Sequence, residues 1–438
     1  MVSRVVGRSV VSCAAVNRNR NSCLLPVRNR KILQDNHPHS FYNMVKEQRE
    51  EHKMKKLRVG VIGIGDISNV YLNNLKKYDA VEVVACASRG LEKAQRKAAE
   101  HGIPKAYASG MELIADPDID IILNLTTPQA HYEYNLAALK AGKHVYTEKP
   151  LAMTFEQGRE LVSLAKEKGL LIGCAPDTFL GGRLQNIREL IDSGRLGRIT
   201  GGGAWFVGHG HEFHHPAPAF FYQPGAGPLY DMGPYYVTAL LSLLGPVKRV
   251  CAMATKAGET RTVPSGPSKG QVLPVDVDTH INAILEFVCG AQVTLTCSFD
   301  VWDSELPRME IYGTEGTVLI DEKDPISGPN LFGGDTLMRT PDQYRWADAE
   351  RRPENVNAPW PVVPNSHPYN SVSHAENPRG IGLVDLVYAL EEGRKPRASG
   401  EMALHSLEVM ECILKSAHEH VFCEPTTTFE QPKPLDWQ

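Results

Sequence analysis

Leu57-Arg58-Val59-Gly60-Val61-Ile62-Gly63-Ile64-Gly65-Asp66-Ile67-Ser68 is the stretch on which the fold turns. Residues 57–63 form a short apolar, β-branched run, the pattern of a buried parallel strand. The run passes into G-x-G-x-x-S and then into a helical segment near 69–77. Gly63 permits the tight turn. Gly65 lets backbone N–H groups approach a pyrophosphate, and the helix N-terminus adds partial positive charge. Ser68 stands where a third glycine is usual, and a small residue still allows close helix–strand packing. Ile64, Asp66 and Ile67 complete the turn. Placed between a strand and a helix, the motif points to a nicotinamide dinucleotide.

The pattern continues outward. Strands are expected at 81–87, 119–125, 144–147 and 170–175, with helices at 91–101, 128–141 and 154–168. Such alternation makes a doubly wound parallel sheet with right-handed crossovers. An acid ending the second strand would hold a ribose 2′-hydroxyl, whereas an arginine there accommodates a 2′-phosphate. The chain has Ala87-Ser88-Arg89 and no acid before Glu92. NADP is therefore favoured over NAD, with Ser88 and Arg89 as phosphate contacts; the plain alternative is that Arg89 is a solvated loop charge.

Thr147-Glu148-Lys149-Pro150 follows the strand at 144–147. Ligands of open α/β sheets bind at the carboxyl ends of strands, so Lys149 is expected at the cofactor crevice. A lysine there can hydrogen-bond a substrate hydroxyl and shuttle its proton, and burial is expected to push its pKa toward neutrality. Pro150 holds Lys149 extended.

Thr126-Thr127-Pro128, His131, Ala138, Ala141-Gly142-Lys143-His144-Val145 and Glu148-Lys149-Pro150 together resemble the Gfo/Idh/MocA (glucose–fructose oxidoreductase, inositol dehydrogenase, MocA) family. The resemblance runs on through 187–197, 225–245 and 397–416, most of residues 56–420. It implies a second α/β domain with a large open, mostly antiparallel sheet. One face of that sheet covers the crevice, and the other joins subunits into a homodimer or homotetramer. Strand-like runs at 199–207, 280–288, 292–299 and 309–312 suit it. The implied chemistry is NAD(P)-dependent oxidation or reduction at a sugar, glycoside or polyol carbinol. Lys149 matches the family's catalytic lysine. The family's D-x-G-x-H maps onto Asp231-Met232-Gly233-Pro234-Tyr235, with Tyr235 where the acid/base histidine usually stands. Tyr235 can take that role if the Lys149 ammonium lowers its pKa, or it can bind substrate while Lys149 alone moves the proton. Asp231, one helical turn earlier, is expected on the same face. Thr126, Thr127, Pro128, His131 and Glu148 are expected at the cofactor, although His131 can simply cap its helix.

His209, His211, Glu212, His214 and His215 form a dense cluster. The preferred reading is a substrate loop supplying His214 or His215, ahead of an exposed loop and of a metal site. No metal is expected. Asp177 is expected at the nicotinamide ribose or the substrate. Residues 324–378, rich in proline, asparagine, aspartate and glycine, read as a long surface excursion.

Two other functions stay open: an NAD-dependent glycosidase working by transient ring oxidation, and a non-catalytic cofactor-sensing regulator. The net charge of -4 hides an asymmetry, because residues 1–53 carry +6 and residues 54–438 carry -10. The acidic remainder gives no reason to expect nucleic-acid binding, and no run of about 18 apolar residues marks a membrane span. The basic, acid-free opening is expected to be a mis-called start, with translation beginning at Met54 or Met44, or else a transit or binding tail. A purine-rich codon run encoding Arg49–Lys53 would suit a ribosome-binding site before Met54. Nine cysteines without metal-ligand spacing fit free thiols in a cytoplasmic, reducing setting. The expected partition is an extension at 1–53, a dinucleotide domain at 54–175 and a substrate and oligomerisation domain at 176–438.

Overall fold

The computed structural model describes residues 56–436, apart from 214, 216, 322–329, 345–357, 366 and 368–376. The reading of residues 1–53 lies outside them.

The first sheet is built from β1 (Leu57–Ile62), β2 (Val81–Ala87), β3 (Lys105–Tyr107), β4 (Ile121–Asn124), β5 (His144–Thr147) and β6 (Ile172–Cys174). Its order is β3-β2-β1-β4-β5-β6, with every pair parallel. The crossovers are α1 (Asp66–Leu75), α2 (Leu91–His101), α3 (Gly110–Ala115), α4 (Pro128–Lys140) and α5 (Phe155–Glu167). Strands covered on both faces must be apolar throughout. β4 accordingly buries all four of its residues, and Val59 and Val61 of β1 are fully buried. The sequence pattern missed β3 and α3. A three-residue, half-buried strand is too short to show periodicity.

The second part of the chain runs through α6 (Gly182–Asp192), β7 (Ile199–Val207), α7 (Gly227–Asp231), α8 (Gly233–Leu244), β8 (Val247–Thr255), β9 (Thr260–Thr262) and β10 (Val272–Pro274). It continues through β11 (His280–Phe287), β12 (Gln292–Ser298), β13 (Met309–Gly313), β14 (Thr317–Ile320), β15 (Thr336–Arg339), β16 (Val362–Val363), α9 (Ile381–Glu392) and α10 (Gly400–Glu419). Eight strands form one open sheet in the order β16-β15-β14-β13-β7-β12-β11-β8. Only β7 and β12 pair in parallel; the other neighbours are antiparallel. Alternation sets its two faces: Ile281, Ala283 and Leu285 of β11 are buried, while Asn282 and Ile284 point to solvent. The excursion expected at 324–378 lies largely outside the described residues. Where described, it instead supplies β15 and β16, which extend the sheet edge by backbone pairing.

The chain then returns to the first sheet. Cys174 N donates to Ala398 O at 3.0 Å, and Gly173 bridges Ser399. Segments far apart in sequence thereby meet at β6, beside the carboxyl ends of β4 and β5.

Candidate active site

Gly63 closes β1 at φ +90, a region that disfavours side chains, and a Cβ there would lie 2.5 Å from the Leu125 carbonyl. A Cβ on Gly65 would meet nothing within 4 Å, so the backbone N–H groups at the start of α1 are open to an incoming group. Ser68 is buried, and its hydroxyl donates to Gly65 O at 2.6 Å, which tightens the turn. Asp66 is exposed and Ile67 half-buried. A crevice of about 400 Å³ opens here, lined by Gly63, Ile64, Gly65, Ser88, Arg89, Thr126 and Thr127. Lys93, one turn into α2 and not foreseen from sequence, lines it too. The glycine cradle and the uncapped helix start fit a pyrophosphate. Gly63→Ala is expected to lower the Tm by about 5 °C or more through backbone strain and the clash. Gly65→Ala is expected to leave the Tm within about 2 °C yet weaken dinucleotide binding at least about tenfold. Thermal melts and dinucleotide titration check the contrast.

β5 carries Glu148 and Lys149 just past its carboxyl end, next to β4 and its Thr126-Thr127 lip. His131 joins the two loops: Nδ1 lies 2.7 Å from Pro150 O and Nε2 lies 3.1 Å from Thr126 O. The ring is fully buried, and burial lowers its pKa. His131 therefore braces the Lys149-Pro150 turn, where the peptide bond is cis. Pro128 begins α4 at its first turn, where its missing N–H costs nothing.

Lys149 meets Asp231 twice: Nζ donates to the Asp231 backbone carbonyl at 2.5 Å and lies 3.4 Å from Oδ1. Nζ also stands 5.1 Å from the centre of the Tyr235 ring. Burial alone would lower the lysine pKa, but Tyr235, Asp231 and Glu148 outweigh it, and the net shift is upward. The expected push toward neutrality is therefore reversed, because three oxygen-bearing partners surround the ammonium. Asp231 is the mirror case. Burial would raise its pKa, but Lys149 and His211 hold it below the usual carboxylate range.

Asp231 and Tyr235 do not share one helix. α7 ends at Asp231 and α8 starts at Gly233, because Pro234 lacks an N–H and its ring crowds the preceding turn. The break leaves Asp231 facing Lys149 while Tyr235 enters the buried start of α8.

Three participants were missed from sequence. Arg379 Nη2 donates to Tyr235 Oη at 3.1 Å, and its Nε lies 3.7 Å from Glu148 Oε1. Tyr71 donates to the same Glu148 oxygen at 2.8 Å, and Lys149 N donates to Glu148 Oε2 at 3.1 Å. Burial would raise the Glu148 pKa, but Arg379 and Lys149 bring it below its ordinary value. An arginine can only donate, so Tyr235 Oη accepts from Arg379 and its own proton is left to donate elsewhere. His211 is the third, with Nε2 2.8 Å from Asp231 Oδ2. The histidine cluster was noticed in the sequence, but nothing local marked His211 within it. His215 is exposed, and its Nδ1 accepts from Ala217 N. His214 lies outside the described residues. Asp177 is fully buried, and Oδ2 accepts from Gly380 N at 2.8 Å and Gly382 N at 3.0 Å, tying down the start of α9. Burial pushes its carboxyl up.

Comparison with known proteins supplies the rest. Residues 57–175 match the model of an oxidoreductase family with an NAD-binding Rossmann fold, and residues 184–319 match the GFO/IDH/MocA C-terminal domain. The trans-1,2-dihydrobenzene-1,2-diol dehydrogenase of Xenopus tropicalis is 31% identical over 264 residues, covering 60% of this chain and 74% of that protein. The 1,5-anhydro-D-fructose reductase of Ensifer adhaerens is 39% identical over 141 residues, spanning 32% of this chain and 42% of the reductase. The solved structure of levoglucosan dehydrogenase with NADH has the same fold, with a TM-score of 0.70 at 21% identity over 84% of this chain and 99% of that one. No helix among the described residues is long and apolar enough to cross a membrane.

Proposed function

The chain belongs to the Gfo/Idh/MocA family of NAD-binding oxidoreductases acting on CH–OH groups, and we propose that it moves a hydride between NADP(H) and a secondary hydroxyl or ketone of a sugar, glycoside or polyol. The observation that carries this reading is the meeting of Lys149, Asp231 and Tyr235 beside the lip of the dinucleotide crevice. Gly63–Ser68, Thr126 and Thr127 would hold the dinucleotide, which when bound supplies the hydride acceptor or donor. Lys149, kept charged by Asp231, donates a hydrogen bond to the substrate oxygen and stabilises negative charge growing there. Tyr235, with its oxygen occupied by Arg379, directs its proton to the same oxygen when a ketone is reduced. A carbohydrate is supported by the reductase relative, whose name carries a sugar substrate.

NADP is supported by the basic rim. Arg89 and Lys93 both line the crevice beyond β2, and no acid closes that strand. Arg89→Ala is expected to raise the KM for NADPH about tenfold and to change that for NADH less than about twofold. Equal effects on both would count against a 2′-phosphate contact. The solvent-facing side of the second sheet carries Met253 and Ile284, 74% and 53% exposed, and is our candidate surface for a second copy.

Absorbance at 340 nm, with sugars, inositols and glycosides and with each dinucleotide in turn, tests the reading. Reduced dinucleotide should form in proportion to substrate consumed. A glycoside cleaved without net reduced dinucleotide would favour the hydrolase. Bound dinucleotide with no turnover of any compound would favour the regulator.

A further inference from the structure

We propose that His211 relays the substrate proton between Asp231 and solvent, acting through Asp231 in place of the histidine that Tyr235 displaces. This rests on the hydride-transfer reading above.

Oxidation of a carbinol sends a hydride to the dinucleotide and releases one proton. Lys149 and Asp231 are both largely enclosed, with side chains 16% and 17% exposed, so that proton needs a way out. The Asp231 carboxylate spans the gap: Oδ1 faces Lys149 Nζ at 3.4 Å, and Oδ2 faces His211 Nε2 at 2.8 Å. The imidazole is packed by Phe221, with ring centres 4.1 Å apart, and edge-on by Phe299 at 5.1 Å. These rings fix its orientation toward Asp231, while the side chain keeps 20% of its surface exposed. It is therefore held inside and wetted outside, as a proton exit requires. An ammonium cannot accept a further proton, so Lys149 must pass one on before it takes another. In the oxidative direction Lys149 gives a proton to Asp231 Oδ1, and Asp231 gives one from Oδ2 to His211 Nε2. Lys149, now neutral, accepts the proton of the substrate hydroxyl as the hydride leaves carbon. His211 then loses its extra proton to water, and every group regains its starting charge. Imidazole suits the last step because its unperturbed pKa lies near neutrality. Reduction runs the same steps backwards.

The position differs from the one the family pattern provides. That histidine would follow Asp231 by four residues on the helix side, whereas His211 comes from the loop after β7 and approaches the opposite carboxylate oxygen.

Two variants of the full chain separate relay from support. His211→Asn keeps an N–H that can donate to Asp231 but cannot carry a proton; His211→Ala leaves room for free imidazole. Both are expected to lose kcat about 100-fold, with KM and dinucleotide affinity within about threefold of wild type. Added imidazole should restore His211→Ala by about tenfold and leave His211→Asn unchanged. Wild-type kcat in His211→Asn, or no recovery of His211→Ala by imidazole, overturns the relay alone. A wild-type protein that oxidises nothing in the same assay overturns the hydride-transfer reading, and the relay with it.

Discussion

Lys149→Met is expected to cut kcat by about 1,000-fold while leaving the dinucleotide Kd within about threefold of wild type. The reason lies in how the site is divided. The dinucleotide would be held by backbone at Gly63–Ser68 and by the lip at Thr126–Thr127, on the turns after β1 and β4. Lys149 follows β5, and its ammonium is spent on Asp231 and faces Tyr235, with no share in the glycine cradle. Methionine matches the length of the lysine stem and keeps the packing, so the fold should survive. What is lost is the charge that stabilises the substrate oxygen. Asp231 keeps His211 as a partner and is not left wholly unpaired. Dinucleotide binding by fluorescence titration and turnover at 340 nm give the two readings separately. Equal loss of both would make Lys149 a cofactor contact, and full turnover would remove it from the chemistry.

Arg379→Met is expected to lower the Tm by about 10 °C, more than any other single change considered for this site. Arg379 is 9% exposed and faces Glu148, itself 9% exposed, so its removal strands a buried carboxylate. Burial alone would lower the guanidinium pKa, but Tyr235 and Glu148 hold it firmly charged. Breaking such a pair from one side costs about 3–5 kcal/mol because the other charge stays buried. Arg379→Met combined with Glu148→Gln should recover most of the loss, since the amide carries no charge to strand. A single variant melting within about 2 °C of wild type would show that the pair carries little energy. The substitution is also expected to reduce turnover, because Tyr235 Oη loses the donor that orients its proton.

The dinucleotide half was legible because its signals are local. The turn at Gly63 needs positive φ within a few residues of an apolar run, and the alternation of strands and helices is a short-range pattern. Lys149 was legible for a related reason: a residue just past a parallel strand is placed by the sheet itself. The resemblance to the Gfo/Idh/MocA family added Asp231 and Tyr235, which local patterns would have left among many similar residues. Legibility faded where several segments had to meet. The helix assumed to carry both Asp231 and Tyr235 breaks at Gly233-Pro234. Asp177 looked like a ligand contact by its place after β6, yet its carboxylate is turned to the backbone of α9.

From the sequence alone come the parallel sheet, its glycine turn and the lysine at the end of β5, each set by sterics and hydrophobic spacing over a dozen residues or fewer. Only the tertiary structure decided which groups surround that lysine. Arg379 reaches Tyr235 across 144 residues, and Tyr71 reaches Glu148 across 77. It also decided the sign of the lysine's pKa shift. Burial favours the neutral amine, but the fold places Asp231, Tyr235 and Glu148 around it, and their summed attraction is the larger effect. No spacing rule within the chain encodes that balance, because it arises when the return of the chain past β6 brings separate loops to one point.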